Sequence, residues 1–153
     1  MKRLSLLLSA VLVSFLLWQI SGPDLSNPSF DPADDLLSLH PAPQQTADLL
    51  RAACYDCHSN QTHWPWYAHL NPIGGFVSGH VRHGREEINF SEWNIISDED
   101  ISVVGKGCAK RIKSHSMPIE SYMWLHPKAR LNEAERLQLI SYFLNLNPRD
   151  HED

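Results

Sequence analysis

Cys54-Tyr55-Asp56-Cys57-His58 places two thiols three positions apart and an imidazole directly after the second. Two thiols at that spacing can each add across a vinyl group of one porphyrin, and the adjacent imidazole can then ligate the iron. C-x-x-C-H is therefore the attachment signature of c-type haem, with His58 as proximal ligand. Other chemistries use parts of the pattern. A zinc site needs a second ligand pair, commonly another C-x-x-C or H-x3-5-H. No second C-x-x-C exists, although the nine histidines offer spacings such as His80 with His83. A thioredoxin-type dithiol expects a hydrophobic strand before it, whereas Thr46-Ala-Asp-Leu-Leu-Arg-Ala-Ala reads as a helix. A Cys54–Cys57 disulfide would close a loop too short to staple much structure and would leave His58 without a reason. Cys108, in Gly105-Lys-Gly-Cys-Ala, is the odd thiol and reads as a buried small hydrophobe.

An iron held by His58 has a second face. Met117, followed by Pro118 in a turn between two helices, is the first candidate there, because His/Met ligation is an established way to raise a haem potential. His80, His115 and His126 are the alternatives, and Met123 in Tyr-Met-Trp-Leu reads as core. The second ring nitrogen of His58 should donate to a carbonyl that fixes the ring, and Asn71-Pro72 is the expected place for it. Trp64, Trp66 and Tyr67 follow the motif closely enough to pack along a haem edge. Arg82 and Arg85 carry the planar forks that suit propionates, although surface solvation accounts for either as well.

These groups need a compartment and a scaffold. Met1-Lys2-Arg3 and the seventeen residues Leu4 to Ile20 form a cationic start and an apolar run, the pattern of an export signal. Seventeen residues suit a signal or a short membrane span, but no A-x-A cleavage pattern ends the run. An uncleaved anchor with Lys2 and Arg3 on the cytoplasmic side is therefore expected, with the rest exported to the periplasmic side. The 13 Lys and Arg include Lys2 and Arg3, so the exported part sets 11 basic against 18 acidic residues, a net −7. No basic stripe exists to neutralise phosphates, and nucleic-acid binding is not expected.

About 130 residues remain after residue 21, enough for one domain. Pro23, Pro28, Pro32, Pro41 and Pro43 make 22–45 read as an extended tether. The folded domain is expected over 46–147, with a polar tail at 148–153. A helix at about 46–57, N-capped by Thr46, would deliver the cysteines, and 59–79 reads as irregular. A short helix is expected at 80–88 and a longer one from Asp98 to about Ser114, capped by Ser97 and broken by Met117-Pro118. Asn132 and Glu135 form an Asn variant of a capping box ahead of Leu137, Ile140, Phe143 and Leu144 at helical spacing, and Pro148 closes the segment. No strand pattern is convincing, so the class is all-α.

Three blocks carry a resemblance: Cys54-Tyr-Asp-Cys-His-Ser-Asn-Gln-Thr-His-Trp-Pro-Trp-Tyr67, His80-Val-Arg-His-Gly-Arg-Glu-Glu-Ile-Asn-Phe-Ser-Glu-Trp93 and Met117-Pro-Ile-Glu-Ser-Tyr-Met-Trp-Leu-His-Pro127. Over about 46–146 the chain resembles the haem-binding domain family of exported bacterial proteins, which are c-type-cytochrome-like. The resemblance implies a cytochrome c-like helical fold around one haem c, covalent through Cys54 and Cys57. Met117 matches the family's Met-Pro position, and His80 and His126 match its recurrent histidines. Leu70-Asn-Pro-Ile-Gly-Gly-Phe76 departs from it in being richer in glycine. The expected function is mono-haem electron transfer to a redox protein partner, with no catalysis. The alternatives are a haem enzyme or gas sensor with an open distal site, and a module in which haem mainly organises the fold.

Overall fold

The computed structural model describes residues 2–146, and every regular element among them is helical. The polar tail and the stop at Pro148 lie outside the described residues. Helix α1, Lys2–Ile20, is mainly apolar after Lys2 and Arg3 and buries no residue. It is the single described helix long and apolar enough to cross a membrane.

The segment expected as a tether is folded onto the helices instead. Asp31 caps a 3-10 turn at Pro32–Asp34, and Asp35 caps α2, Leu36–Leu39, by accepting from the Leu37 N–H at 2.9 Å. Leu36 is fully buried. Asp35 is nearly so, and it also accepts from the Tyr55 hydroxyl at 2.7 Å and the Gln61 amide at 2.8 Å. Pro32, Pro41 and Pro43 stand at the starts of short helices or between them, where a fixed φ is an advantage, whereas Pro23 and Pro28 lie in a stretch without regular structure.

Helix α3, Gln44–Leu50, begins after Pro43, two residues earlier than expected and without a side-chain cap. Thr46 is buried inside it, its hydroxyl accepting from Gln138 at 2.8 Å rather than capping. The chain then widens into a π turn at Arg51–Tyr55 before closing as the short α4, Asp56–His58. Single π turns recur at functional sites, and this one carries Cys54.

After a 3-10 turn at Trp66–His69 comes α5, Ile73–Glu87, which starts seven residues ahead of the expected short helix. Pro72, Gly74, Gly75 and Gly79 hid its first half by suggesting loop. Gly74 is needed for packing, since a Cβ there would collide with the Ala68 carbonyl and sit 2.9 Å from the Pro23 ring.

Helix α6, Asp98–Lys113, has Ser97 as N-cap and three acidic residues in its first turn, as its sequence requires. It stops before Met117-Pro118. His115 adopts φ 57°, Ser116 N–H bonds back to Arg111 O at 3.1 Å and His115 N–H to Ile112 O at 3.1 Å. That pairing is a Schellman stop with histidine where glycine usually stands.

The short α7, Glu120–Leu125, and a 3-10 turn at Pro127–Ala129 lead to α8, Glu133–Leu144, whose Asn132–Glu135 capping box is complete in both directions. Helices α6 and α8 cross where Gly105 meets the Phe143 carbonyl, an approach that leaves no room for a Cβ. The core gathers Leu36, Leu50, Tyr55, Phe90, Trp93, Ile101, Ile112, Leu139 and Phe143. Phe90 is its hub, with ring centroids 5.4 Å from Tyr55, 5.8 Å from Trp93 and 6.2 Å from Phe143. Truncating Trp93 or Phe143 to alanine would cost about 3–5 kcal/mol by loss of burial and the cavity left behind.

Candidate functional site

The imidazole of His58 is held by the backbone. Its Nδ1 lies 2.9 Å from the Gly84 carbonyl and 3.2 Å from the Ile88 carbonyl, at the carboxyl end of α5. Carbonyls only accept, so Nδ1 carries the proton and Nε2 presents its lone pair. Phe90 holds the ring from the side, 5.8 Å between centroids at 34°. Burial pushes the imidazole below its ordinary pKa, which keeps it neutral and able to ligate a metal. The orienting carbonyl was expected near Asn71-Pro72. Asn71 is occupied elsewhere, bonded to Gln19, Trp18 and Ser21 at the end of α1.

What brings α5 so close is Gly84. A Cβ on it would lie 2.5 Å from the Cys57 carbonyl oxygen and 3.3 Å from the Cys57 Cβ. The two helices touch backbone to backbone there, which carries the Gly84 carbonyl to His58.

All three cysteines are free thiols. Burial pushes Cys54 up to about 12, with Cys108 and then Cys57 adding to it. Burial, and then Asp56, pushes Cys57 up to about 11. These are neutral thiols, the opposite of the depressed values that make a thioredoxin-type dithiol a nucleophile. Among the described residues no three His, Cys, Asp or Glu side chains converge to hold a metal ion, which a zinc site at Cys54 and Cys57 would require. Two neutral thiols and one oriented, unprotonated Nε2 on consecutive turns fit a covalently attached haem.

Beside the thiols stands a wall from α7. The Tyr122 hydroxyl donates to Asp56 Oδ2 at 2.7 Å, and burial pushes its pKa upward. Its ring stacks on His126 at 3.9 Å and 13°. His126 Nδ1 donates to its own helix at Tyr122 O, 2.9 Å, and Tyr67 meets its edge at 6.4 Å. Tyr122 and Asp56 were missed from the sequence, because nothing in Tyr-Met-Trp-Leu separates a site tyrosine from a core one.

Met117 is half-buried in a turn fixed on two sides. Its N–H bonds to Arg111 O at 3.2 Å, and its carbonyl accepts from Arg136 at 3.2 Å, which also reaches Ile112 O at 3.2 Å. Arg136 is a buried cation on α8 that joins the end of α6 to the Met117 turn. His115 is taken up by the Schellman stop, with Glu133 3.7 Å away. His80 is exposed on α5, its ring against Phe76 at 4.2 Å.

The remaining expected residues separate. Arg85 commits its fork to the segment after His58, donating to Ser59 O, Thr62 Oγ1 and Asn27 Oδ1, each at 2.8 Å. Here it clamps a loop and is already engaged where a propionate was expected. Arg82 is exposed beside Glu86. Trp66 stands 76 % exposed, edge-on to Tyr67. Trp64 instead lines a cavity of about 690 Å³ with Pro23, Asn60, Gly79 and Arg82, and its buried Nε1 has no partner. That cavity is not lined by Cys54, Cys57 or His58. It lies on the side of α5 away from Gly84.

Residues 13–145 match the family described as haem-binding domain. The match begins inside α1 and runs to the end of α8. Comparisons with curated proteins and with solved structures give no match.

Proposed function

Because the chain belongs to the haem-binding domain family, we propose that it is an exported, membrane-tethered, mono-haem c-type cytochrome-like protein that passes electrons to a redox protein partner. The observation that carries this reading is His58, its Nδ1 held by two carbonyls and its Nε2 left free beside two neutral thiols. Haem supplies an iron that alternates between ferrous and ferric states. In this reading Cys54 and Cys57 would hold it through two thioether bonds, and His58 would ligate the iron through Nε2. The Gly84 and Ile88 carbonyls draw on the Nδ1 proton, raise the basicity of Nε2 and fix the ring plane. Met117 is the proposed sixth ligand, its turn braced by Arg136. With His58 and Met117 both holding it, the iron would have no position left for a substrate, which favours an electron carrier over an enzyme.

One observation favours a second reading. His126 engages only its Nδ1 with a carbonyl, and it stacks on the Tyr122 that bonds Asp56. A distal histidine of that kind would suit a haem enzyme or gas sensor. Mass spectrometry of the exported protein with a pyridine haemochrome spectrum tests attachment, and absence of a covalent adduct in a host that matures c-type cytochromes sinks both readings. Met117→Ala and His126→Ala then separate them. Under the proposal, Met117→Ala turns the reduced spectrum five-coordinate and admits carbon monoxide, whereas His126→Ala leaves the iron six-coordinate. A wild-type protein that binds carbon monoxide rapidly would favour the second reading.

A further inference from the structure

The exit of α1 is not a free linker. Asn71 ties three of its groups to the last turn: its N–H to Gln19 Oε1 at 2.9 Å, its amide to Trp18 O at 2.9 Å and to Ser21 O at 3.2 Å. Its carbonyl accepts from Gln19 Nε2 at 3.4 Å. Three residues on, Gly74 is pressed against the Pro23 ring. Helix and domain are thus joined at the start of α5. A signal peptide removed at residue 21 would leave Asn71 without these partners.

Nineteen residues of α-helix span about 28 Å, close to the hydrocarbon thickness of a bilayer. With α1 across the membrane, Trp18 falls at the interface where aromatic residues collect. Asn71, bonded to the Trp18 carbonyl, falls at the same level. Its neighbours Leu70 and Ile73 are 43 % and 47 % exposed. Apolar groups at that depth meet the boundary between headgroups and acyl chains.

We infer that α1 is a retained anchor docked on the domain through Asn71, and that the Leu70–Ile73 segment seats the domain face-down on the lipid surface. The occupant of this patch is lipid, since the patch continues directly from the one described helix suited to a bilayer. A net charge of −7 outside the helix makes the contact apolar rather than an attraction to anionic headgroups. The inference rests on the export reading and is independent of how the iron is ligated.

The test uses the full-length holoprotein in phosphatidylcholine vesicles containing a phosphatidylcholine with a photoactivatable diazirine on its acyl chain. After irradiation, lipid adducts are mapped by peptide mass spectrometry. Adducts are expected on α1 and on the 70–73 peptide, and not at Val103 or Leu137, which are 65 % and 63 % exposed elsewhere on the domain. Asn71→Ala should cut labelling at 70–73 severalfold while labelling of α1 stays unchanged. Adducts confined to α1 would overturn the seating, and protein–protein cross-links through 70–73 would assign the patch to a second copy and overturn it too. An exported holoprotein lacking residues 1–21 would refute the retained anchor while leaving the haem reading intact. Full-length protein with lipid adducts and no covalent haem would do the reverse.

Discussion

Gly84→Ala isolates the contact on which the His58 geometry depends. The added methyl would start 2.5 Å from the Cys57 carbonyl oxygen, so α5 has to back away by roughly 1 Å to reach ordinary contact distance. The Gly84 carbonyl moves with it, stretching the 2.9 Å bond to His58 Nδ1 beyond hydrogen-bonding range. Overpacking of this kind costs about 1–3 kcal/mol, and the lost hydrogen bond adds about 0.5–1.5 kcal/mol. Alanine's better helix propensity returns about 0.8–1.0 kcal/mol. The net is a destabilisation of about 0.5–3.5 kcal/mol. Gly79→Ala, on the same helix with nothing within 4 Å of its Cβ, should instead stabilise by about 0.5–1 kcal/mol. Urea denaturation of the two holoproteins followed by circular dichroism measures the gap. Gly84→Ala should also raise the midpoint potential, because an imidazole whose Nδ1 proton is left with the 3.2 Å Ile88 carbonyl alone is a weaker donor to ferric iron. Equal stabilities for the two variants would refute the backbone-contact account, and a destabilised Gly84→Ala with an unmoved potential would refute the link to His58.

His115→Gly should raise stability by about 0.5–1 kcal/mol, since glycine adopts the φ 57° of the α6 stop without a Cβ clash, and a lower urea midpoint would count against the Schellman assignment. Burial lifts Cys108 from 9.0 to about 11. Its thiolate fraction near pH 8 should then be about a hundredth of an ordinary thiol's, and iodoacetamide alkylation of the native holoprotein correspondingly slow. Alkylation at the rate of a free peptide thiol would show that Cys108 is accessible. Arg136→Met removes the charge that joins Ile112 and Met117. It leaves the Met117 carbonyl without its donor and the Ile112 carbonyl with backbone N–H donors only, and should cost about 1–3 kcal/mol in urea and, under the proposed Met117 ligation, change the visible spectrum. An unchanged visible spectrum would separate Arg136 from the Met117 turn.

Haem binding, which the family match supports, was legible because the C-x-x-C-H pattern sets Cys54, Cys57 and His58 within five positions. The ends of α6 and α8 were legible for a related reason, as Ser97, Asn132 and Glu135 act on backbone only a few residues away. What holds His58 was not legible. Its partners are main-chain carbonyls 26 and 30 residues downstream, and any sequence supplies carbonyls. The first half of α5 was hidden because Gly74 and Gly75 look like loop, whereas Gly74 makes room for Ala68 and Pro23. The misreading of 22–45 has the same origin. Proline density suggests an open chain, and the burial of Leu36 and Asp35 comes from distant helices rather than from any local pattern.

The π turn at Arg51–Tyr55 changes which way the motif faces. In an unbroken α-helix Leu50, Ala53 and Cys57 would lie on one stripe, at i, i+3 and i+7. Leu50 and Ala53 are already spent on the core. An additional residue in the turn rotates everything after it back by about 100°, the angle one residue occupies at 3.6 per turn. The upstream half of the helix can therefore keep its register with α8, where Thr46 receives Gln138, while the downstream half aims Cys57 and His58 in another direction. The turn acts as a phase shift between folding and chemistry, allowing one short helix to serve two faces whose periodicities would otherwise collide.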